Sequence, residues 1–159
     1  MFTDLVASTE RAAALGDDHW KSLLDRHDVT MRKAVGSLGG EVVKTTGDGV
    51  LALLPSASAA VRAAERVQHA RAADGLEVRI GIHVGDVDRR GDDVSRLSVH
   101  IAARALAVAE AGQIVVTPSV PPAVTGEAAA FETLGPRTLK GVPGVWELFR
   151  LAKTRRAQT

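Results

Sequence analysis

The stretch Leu76-Glu77-Val78-Arg79-Ile80-Gly81-Ile82-His83-Val84-Gly85-Asp86-Val87 decides the fold. Leu76, Val78, Ile80, Ile82 and Val84 alternate with Glu77, Arg79, Gly81, His83 and Gly85. That period of two predicts a strand over Leu76–Val87 with one face in a core. Upstream, after Pro55, Ser56 or Ser58 caps an Ala-rich helix with Ala60, Ala63, Ala64, Val67 and Ala70 on one face. Before it, Glu41–Lys44 and Val50–Leu54 read as short strands, and Thr45-Thr46-Gly47-Asp48-Gly49 between them is a hairpin signal. Earlier still, Asp17 or Asp18 caps a helix whose apolar residues are Trp20, Leu23, Leu24, Met31, Val35 and Leu38, and Gly39-Gly40 stops it. Downstream, a polar loop over Asp86–Asp93 leads into a helix through Leu97, Ile101, Ala105 and Val108. Gln113–Val116 then reads as a short buried strand, and Leu134–Val142 and Val145–Leu151 as two strands joined around Pro143-Gly144.

The order β-α-α-β-β-α-β-α-β-β-β predicts an α+β domain. Its expected core is a ferredoxin-like βαββαβ sheet with helices packed on it, elaborated by a C-terminal β-hairpin. Residues 1–152 form the expected domain, and 153–159 a frayed tail. There is no internal repeat, and no Pro-, Gly- or Ser-rich linker divides the chain.

Composition narrows the function. The 159 residues carry 20 Lys+Arg against 19 Asp+Glu, so the net charge of +1 lacks the electrostatic footprint of a nucleic-acid polymer binder. Aromatics are only 3 %, which argues against base-stacking platforms. The absence of cysteine excludes disulfides, thiolate metal sites and a cysteine nucleophile. No apolar run is longer than that of Val50–Leu54, far shorter than the ~20 residues of a membrane span. No charged-then-apolar leader opens the sequence, so the expected location is cytoplasmic.

P-loop, dinucleotide-binding, zincin and serine-hydrolase fingerprints are all missing. Three local features could carry chemistry. Asp4 interrupts the apolar Phe2-Thr3-Asp4-Leu5-Val6 and either lies exposed or faces a compensating charge. Asp48 is an ordinary hairpin residue by itself. Together with Asp4 on a neighbouring strand it makes a hard-oxygen pair suited to Mg²⁺ or Mn²⁺. Finally, if the helix reaches back to Asp93, then Asp93, His100 and Arg104 share one stripe, because seven residues return to within about 20° and four more add about 40°. Such a stripe is either a solvated face or a set able to bond a base, a sugar and a phosphate. Lys44 ends the strand beside the Asp48 turn.

Together these pieces resemble the catalytic domain of class III nucleotidyl cyclases, bacterial adenylyl cyclases in particular. Phe2-Thr3-Asp4-Leu5-Val6-Ala7-Ser8-Thr9 resembles the family's first metal motif, and Lys44-Thr45-Thr46-Gly47-Asp48-Gly49 the second. Val99-His100-Ile101-Ala102-Ala103-Arg104 is similar to its Val-Asn-x-Ala-Ser/Ala-Arg helix, with Asp93 seven residues ahead. Leu139-Lys140-Gly141-Val142-Pro143-Gly144 resembles its closing Leu-Lys-Gly hairpin.

The resemblance implies an adenylyl cyclase acting on ATP as a head-to-tail homodimer with shared active sites. It implies two Mg²⁺ or Mn²⁺ ions per site, held by Asp4, Asp48 and the backbone carbonyl of Leu5. Lys44 and Asp93 are implied to read adenine, Arg104 to stabilise the reacting phosphate, His100 to stand in the ribose-positioning asparagine's place, and Lys140 to reach the triphosphate. The departures are His100 itself, Arg96 at a usual glycine, and Asp86 where some members carry a phosphate-binding arginine. His100 keeps open an alternative: a non-catalytic module that binds nucleotide or only dimerises.

Overall fold

A computed structural model describes residues 1–6, 8–87, 96–126 and 129–152. Strand β1 (Phe2–Leu5) is followed by helices α1 (Ser8–Leu15) and α2 (Asp17–Gly36), then strands β2 (Glu41–Thr46) and β3 (Gly49–Leu53). Helix α3 (Ala57–Ala73), strand β4 (Val78–Ile82), helix α4 (Arg96–Val108) and strand β5 (Ile114–Val116) come next. A 3₁₀ turn at Pro121–Ala123 precedes the hairpin of β6 (Phe131–Thr138) and β7 (Val145–Leu151). Among the described residues, no helix is long and apolar enough to cross a membrane.

The seven strands lie in the order β2-β3-β1-β4-β5-β7-β6. Its first four, with α2 and α3 as crossovers, form the expected ferredoxin-like unit. Every pair is antiparallel except β4–β5. That parallel step needs a crossover, and α4 lies in it.

Strand alternation sorts the core into two layers. Val78, Ile80 and Ile82 of β4 and Ile114 and Val116 of β5 pack with Met31 and Val35 of α2 and with Ala60, Ala63, Ala64 and Val67 of α3. Alanines let α3 approach the sheet closely, and Ser56 caps it by accepting the Ala59 amide at 3.1 Å. Val115 points to the opposite face, where it joins Ile101 and Ala105 of α4, Ala109 just after it, and Leu139, Val142 and Leu148 of the hairpin. Gly81 lies on that second face. A Cβ there would stand 2.5 Å from the Ala102 carbonyl oxygen and the Leu106 amide, so the backbone of α4 rests directly on β4.

Two expected strands are shorter than their sequence patterns. The alternation runs over Leu76–Val87, yet β4 stops at Ile82. Its neighbours β1 and β5 offer only four and three residues, so the ladder has no further partner. Beyond it, His83 turns to bond Thr117 side chain to side chain at 2.7 Å. Likewise β6 ends at Thr138, not Val142. Leu139 and Val142 are both buried against α4, which a continuing strand with its two-residue alternation would not allow. Residues 153–159 and Asp93 lie outside the described residues.

One polar cluster sits between α2 and α3. His27 is 2 % exposed with neither ring nitrogen bonded to a described residue, and Arg71 is 5 % exposed with its guanidinium on Thr30 at 2.7 Å and Asp74 at 3.2 Å. Burial first, and then the Arg71 charge, push the His27 pKa down to about 4.

Two outcomes follow from this packing. Gly81→Ala is expected to lower the unfolding free energy by about 2 kcal/mol or more, because the clash is with backbone. An unchanged urea midpoint would show that α4 yields freely. For His27, the unfolded chain takes up a proton near pH 6.5 and the folded one only near 4. Stability is therefore full above about pH 6.5 and falls by about 3 kcal/mol toward pH 4. His27→Leu is expected to flatten that part of the pH–stability curve, measured by urea titrations between pH 7 and 4.

Candidate active site

Two groups of side chains stand out, each fixed by one part of the fold. The first gathers on β1, its neighbour β3 and the turn before β3. In register, Asp4 lies opposite Gly49 of β3 on one side and Arg79 of β4 on the other. The Leu5 amide donates to the Asp48 carbonyl at 3.3 Å, drawing the end of β1 onto the Gly47-Asp48 turn. Gly47 makes that turn possible with φ +57°. Both carboxylates thus stand at the same end of adjacent strands, and Leu5 between them is buried.

Asp4 is not an unpaired charge. A guanidinium nitrogen of Arg79 donates to its Oδ2 in a half-buried ion pair. Sequence reasoning missed Arg79. The alternation in β4 sets Arg79 on the face opposite Val78, Ile80 and Ile82, but only the pairing of β1 with β4 brings it against Asp4. The Asp48 carboxylate has no hydrogen-bond or ion-pair partner among the described residues.

These carboxylates supply a donor set of oxygens only, which matches a hard divalent cation. No cluster of three or more His, Cys, Asp or Glu side chains able to hold a metal occurs among the described residues. A two-carboxylate set suits an ion that fills its remaining positions with water and phosphate oxygens.

Lys44 lies on β2, the outermost strand at that end of the sheet, opposite Leu51. The register shifts between Val42 and Lys44, a bulge that re-aims the following side chain. Lys44 is exposed.

The second group lies along α4 and the β6–β7 turn. Arg104 stands one helical turn after His100, and its Nε is buried without a bonded partner among the described residues. A buried, unmatched guanidinium N–H is a donor awaiting an acceptor. His100 Nε2 lies 2.9 Å from the Lys140 carbonyl oxygen. Lys140 itself is exposed. Nearby, burial pushes the His83 imidazole below its ordinary pKa. Its ring meets Trp146 edge-on at 6.0 Å and 70°.

The description "Adenylate and Guanylate cyclase catalytic domain" matches residues 1–153 of this chain. The chain belongs to that family, the class III nucleotidyl cyclases. An uncharacterized protein of Mycobacterium tuberculosis is 34 % identical over 160 residues, covering 99 % of this chain and 42 % of the relative. An adenylate cyclase of Streptomyces coelicolor is 31 % identical over 117 residues, covering 72 % of this chain and 31 % of the relative. The chain therefore spans less than half the length of either relative. Among solved structures, an adenylate cyclase from Trypanosoma brucei in its monomeric state superposes with a TM-score of 0.82 at 25 % identity, covering 94 % of this chain and 87 % of that one.

Proposed function

We propose that this domain converts ATP to 3′,5′-cyclic AMP and pyrophosphate, in shared active sites of a head-to-tail homodimer. The observation that carries the reading is the joining of Asp4 and Asp48 at one end of neighbouring strands by the Leu5–Asp48 backbone bond. Similarity to a relative named as an adenylate cyclase supports the choice of reaction.

In this reading Asp4, Asp48 and the Leu5 carbonyl hold two Mg²⁺ or Mn²⁺ ions. Such ions supply Lewis acidity, lowering the pKa of the ribose 3′-hydroxyl and neutralising the phosphate chain. The chain's own residues do the rest. One protomer brings the two aspartates, and the other brings Lys44, Asp93, His100, Arg104 and Lys140; two identical chains make two equivalent sites. The 3′-oxygen attacks the α-phosphorus, its proton passes to solvent water, and the bond to pyrophosphate breaks in line. Arg104 faces the charge that grows on the α-phosphate and the leaving oxygen, as a preorganised donor already desolvated at Nε.

Base choice follows from hydrogen-bond capacity. Lysine only donates and ionised aspartate only accepts, so Lys44 suits adenine N1 and Asp93 suits the N6 amino group. Guanine presents the reverse pattern at those positions, and the mismatch opposes GTP. His100 takes the asparagine's place near the ribose. With its Nε2 turned to Lys140, only Nδ1 remains for the sugar.

A non-catalytic nucleotide-binding or dimerising module is the second reading, favoured by that engaged imidazole. Cyclic AMP formed from ATP with Mn²⁺ decides between them. Asp48→Ala is expected to lower the rate by at least about a hundredfold. Equal rates in the two proteins would remove the enzyme reading, and ATP binding without turnover would select the module. Lys44→Glu is expected to weaken ATP use by about tenfold or more while leaving the thermal midpoint near the parent's. Unchanged kcat/KM for ATP would refute the base-reading role.

A further inference from the structure

We propose that His100 is a positioning residue: it clamps the β6–β7 turn so that Lys140 is presented to the triphosphate. This rests on the cyclase reading above, in which Lys140 meets phosphate. The clamp itself rests on contacts within one chain.

Contacts along the whole turn define it. The Lys140 carbonyl can only accept, so the 2.9 Å contact places a proton on His100 Nε2, and in the neutral ring Nδ1 is then the acceptor. Gly141 follows with φ +77°, and a Cβ there would lie 2.8 Å from the same Nε2. The imidazole thus sits directly against a turn that only glycine allows it to approach. On either side, Leu139 and Val142 are buried with Ile101 and Ala105 of α4, and the Val142 amide closes the turn on the Leu139 carbonyl at 3.0 Å. Beyond them, Trp146 Nε1 donates to the Pro143 carbonyl at 3.0 Å.

Between these anchors the Lys140 side chain is exposed and in no ion pair among the described residues. A lysine is a point charge on a flexible stem, so its value to a ligand depends on how firmly its backbone is held. Anchoring the turn removes part of the ordering cost that phosphate binding would otherwise incur. An asparagine at position 100 carries its amide nitrogen closer to the helix than Nε2 and would leave this carbonyl out of reach.

The test compares His100→Ala, His100→Gln and Lys140→Ala with the parent protein. Amide hydrogen exchange over residues 139–142 is followed without nucleotide, and KM and kcat are measured with ATP and Mn²⁺. Loss of the bond in His100→Ala is expected to speed exchange there by about tenfold. Its KM for ATP should rise, and Lys140→Ala should add less to KM in that background than it does in the parent. His100→Gln, long enough to donate to the carbonyl, should restore much of both. Unchanged exchange in His100→Ala, or independent effects that add in the double variant, would overturn the proposal. If the parent forms no cyclic AMP, the cyclase reading fails, and the exchange rates alone decide whether the clamp exists. If His100→Ala fails to fold, His100→Gln decides through its exchange: parent-like protection upholds the clamp, and faster exchange with a parent-like KM overturns it.

Discussion

The backbone of α4 lies on β4 with no side chain between them at Gly81, where a Cβ would come within 2.5 Å of two α4 backbone atoms. This close approach fixes the height and roll of a helix that also packs, through Ile101 and Ala105, against Leu139 and Val142 of the β6–β7 turn. Everything on α4 inherits the constraint. Ile101 and Ala105 point into the small second core, His100 reaches the Lys140 carbonyl, and Arg104 keeps an Nε that no described residue satisfies. A larger residue at 81 would lift the helix and disturb all of these together, while the main core under α2 and α3 stayed packed. The two layers divide the labour: one supplies stability, the other holds side chains at the surface.

Charge follows the same division. Asp4 shares the α4 face of the sheet with Arg79, so the aspartate is neutralised inside the strand pair before any ligand arrives. Asp48 has no such partner and sits at a turn. The two carboxylates are therefore unequal, one ordered by an ion pair and the other by its backbone position. On the α2–α3 side, His27 and Arg71 are buried within the same layer, and burial keeps the imidazole neutral.

Much of this was legible in the sequence because periodicity is a local property. Alternation found β4, the 3.6-residue pattern found α2 and α3, and the Gly-Asp-Gly turn found the β2–β3 hairpin. Errors arose where a neighbour, not the segment itself, sets the limit. Strand β4 ends when β1 and β5 run out, and β6 ends where Leu139 and Val142 turn together toward α4. Of the candidate site, Asp4, Asp48, His100 and Arg104 could be singled out by residue type and spacing, and spacing also brought the Lys140 hairpin into the resemblance. Arg79 escaped because its partner is 75 positions away in the chain, and the hold of His100 on Lys140 escaped because it spans 40. Side-chain pairs of that separation become visible only once the strand order is known.

The rims of the sheet have a consequence for how copies of the chain can meet. Strand β2 is interrupted by a bulge between Val42 and Lys44, and β6 by another between Thr133 and Gly135, followed at once by Pro136, which has no amide hydrogen. Neither border offers the regular row of donors and acceptors on which a foreign strand could be templated. Joining sheets into a continuous ribbon, the route by which exposed strands drift into fibrils, is thereby discouraged at both ends. Association between two such molecules is left to side chains on their faces, where its geometry can be specific and its strength can be tuned residue by residue.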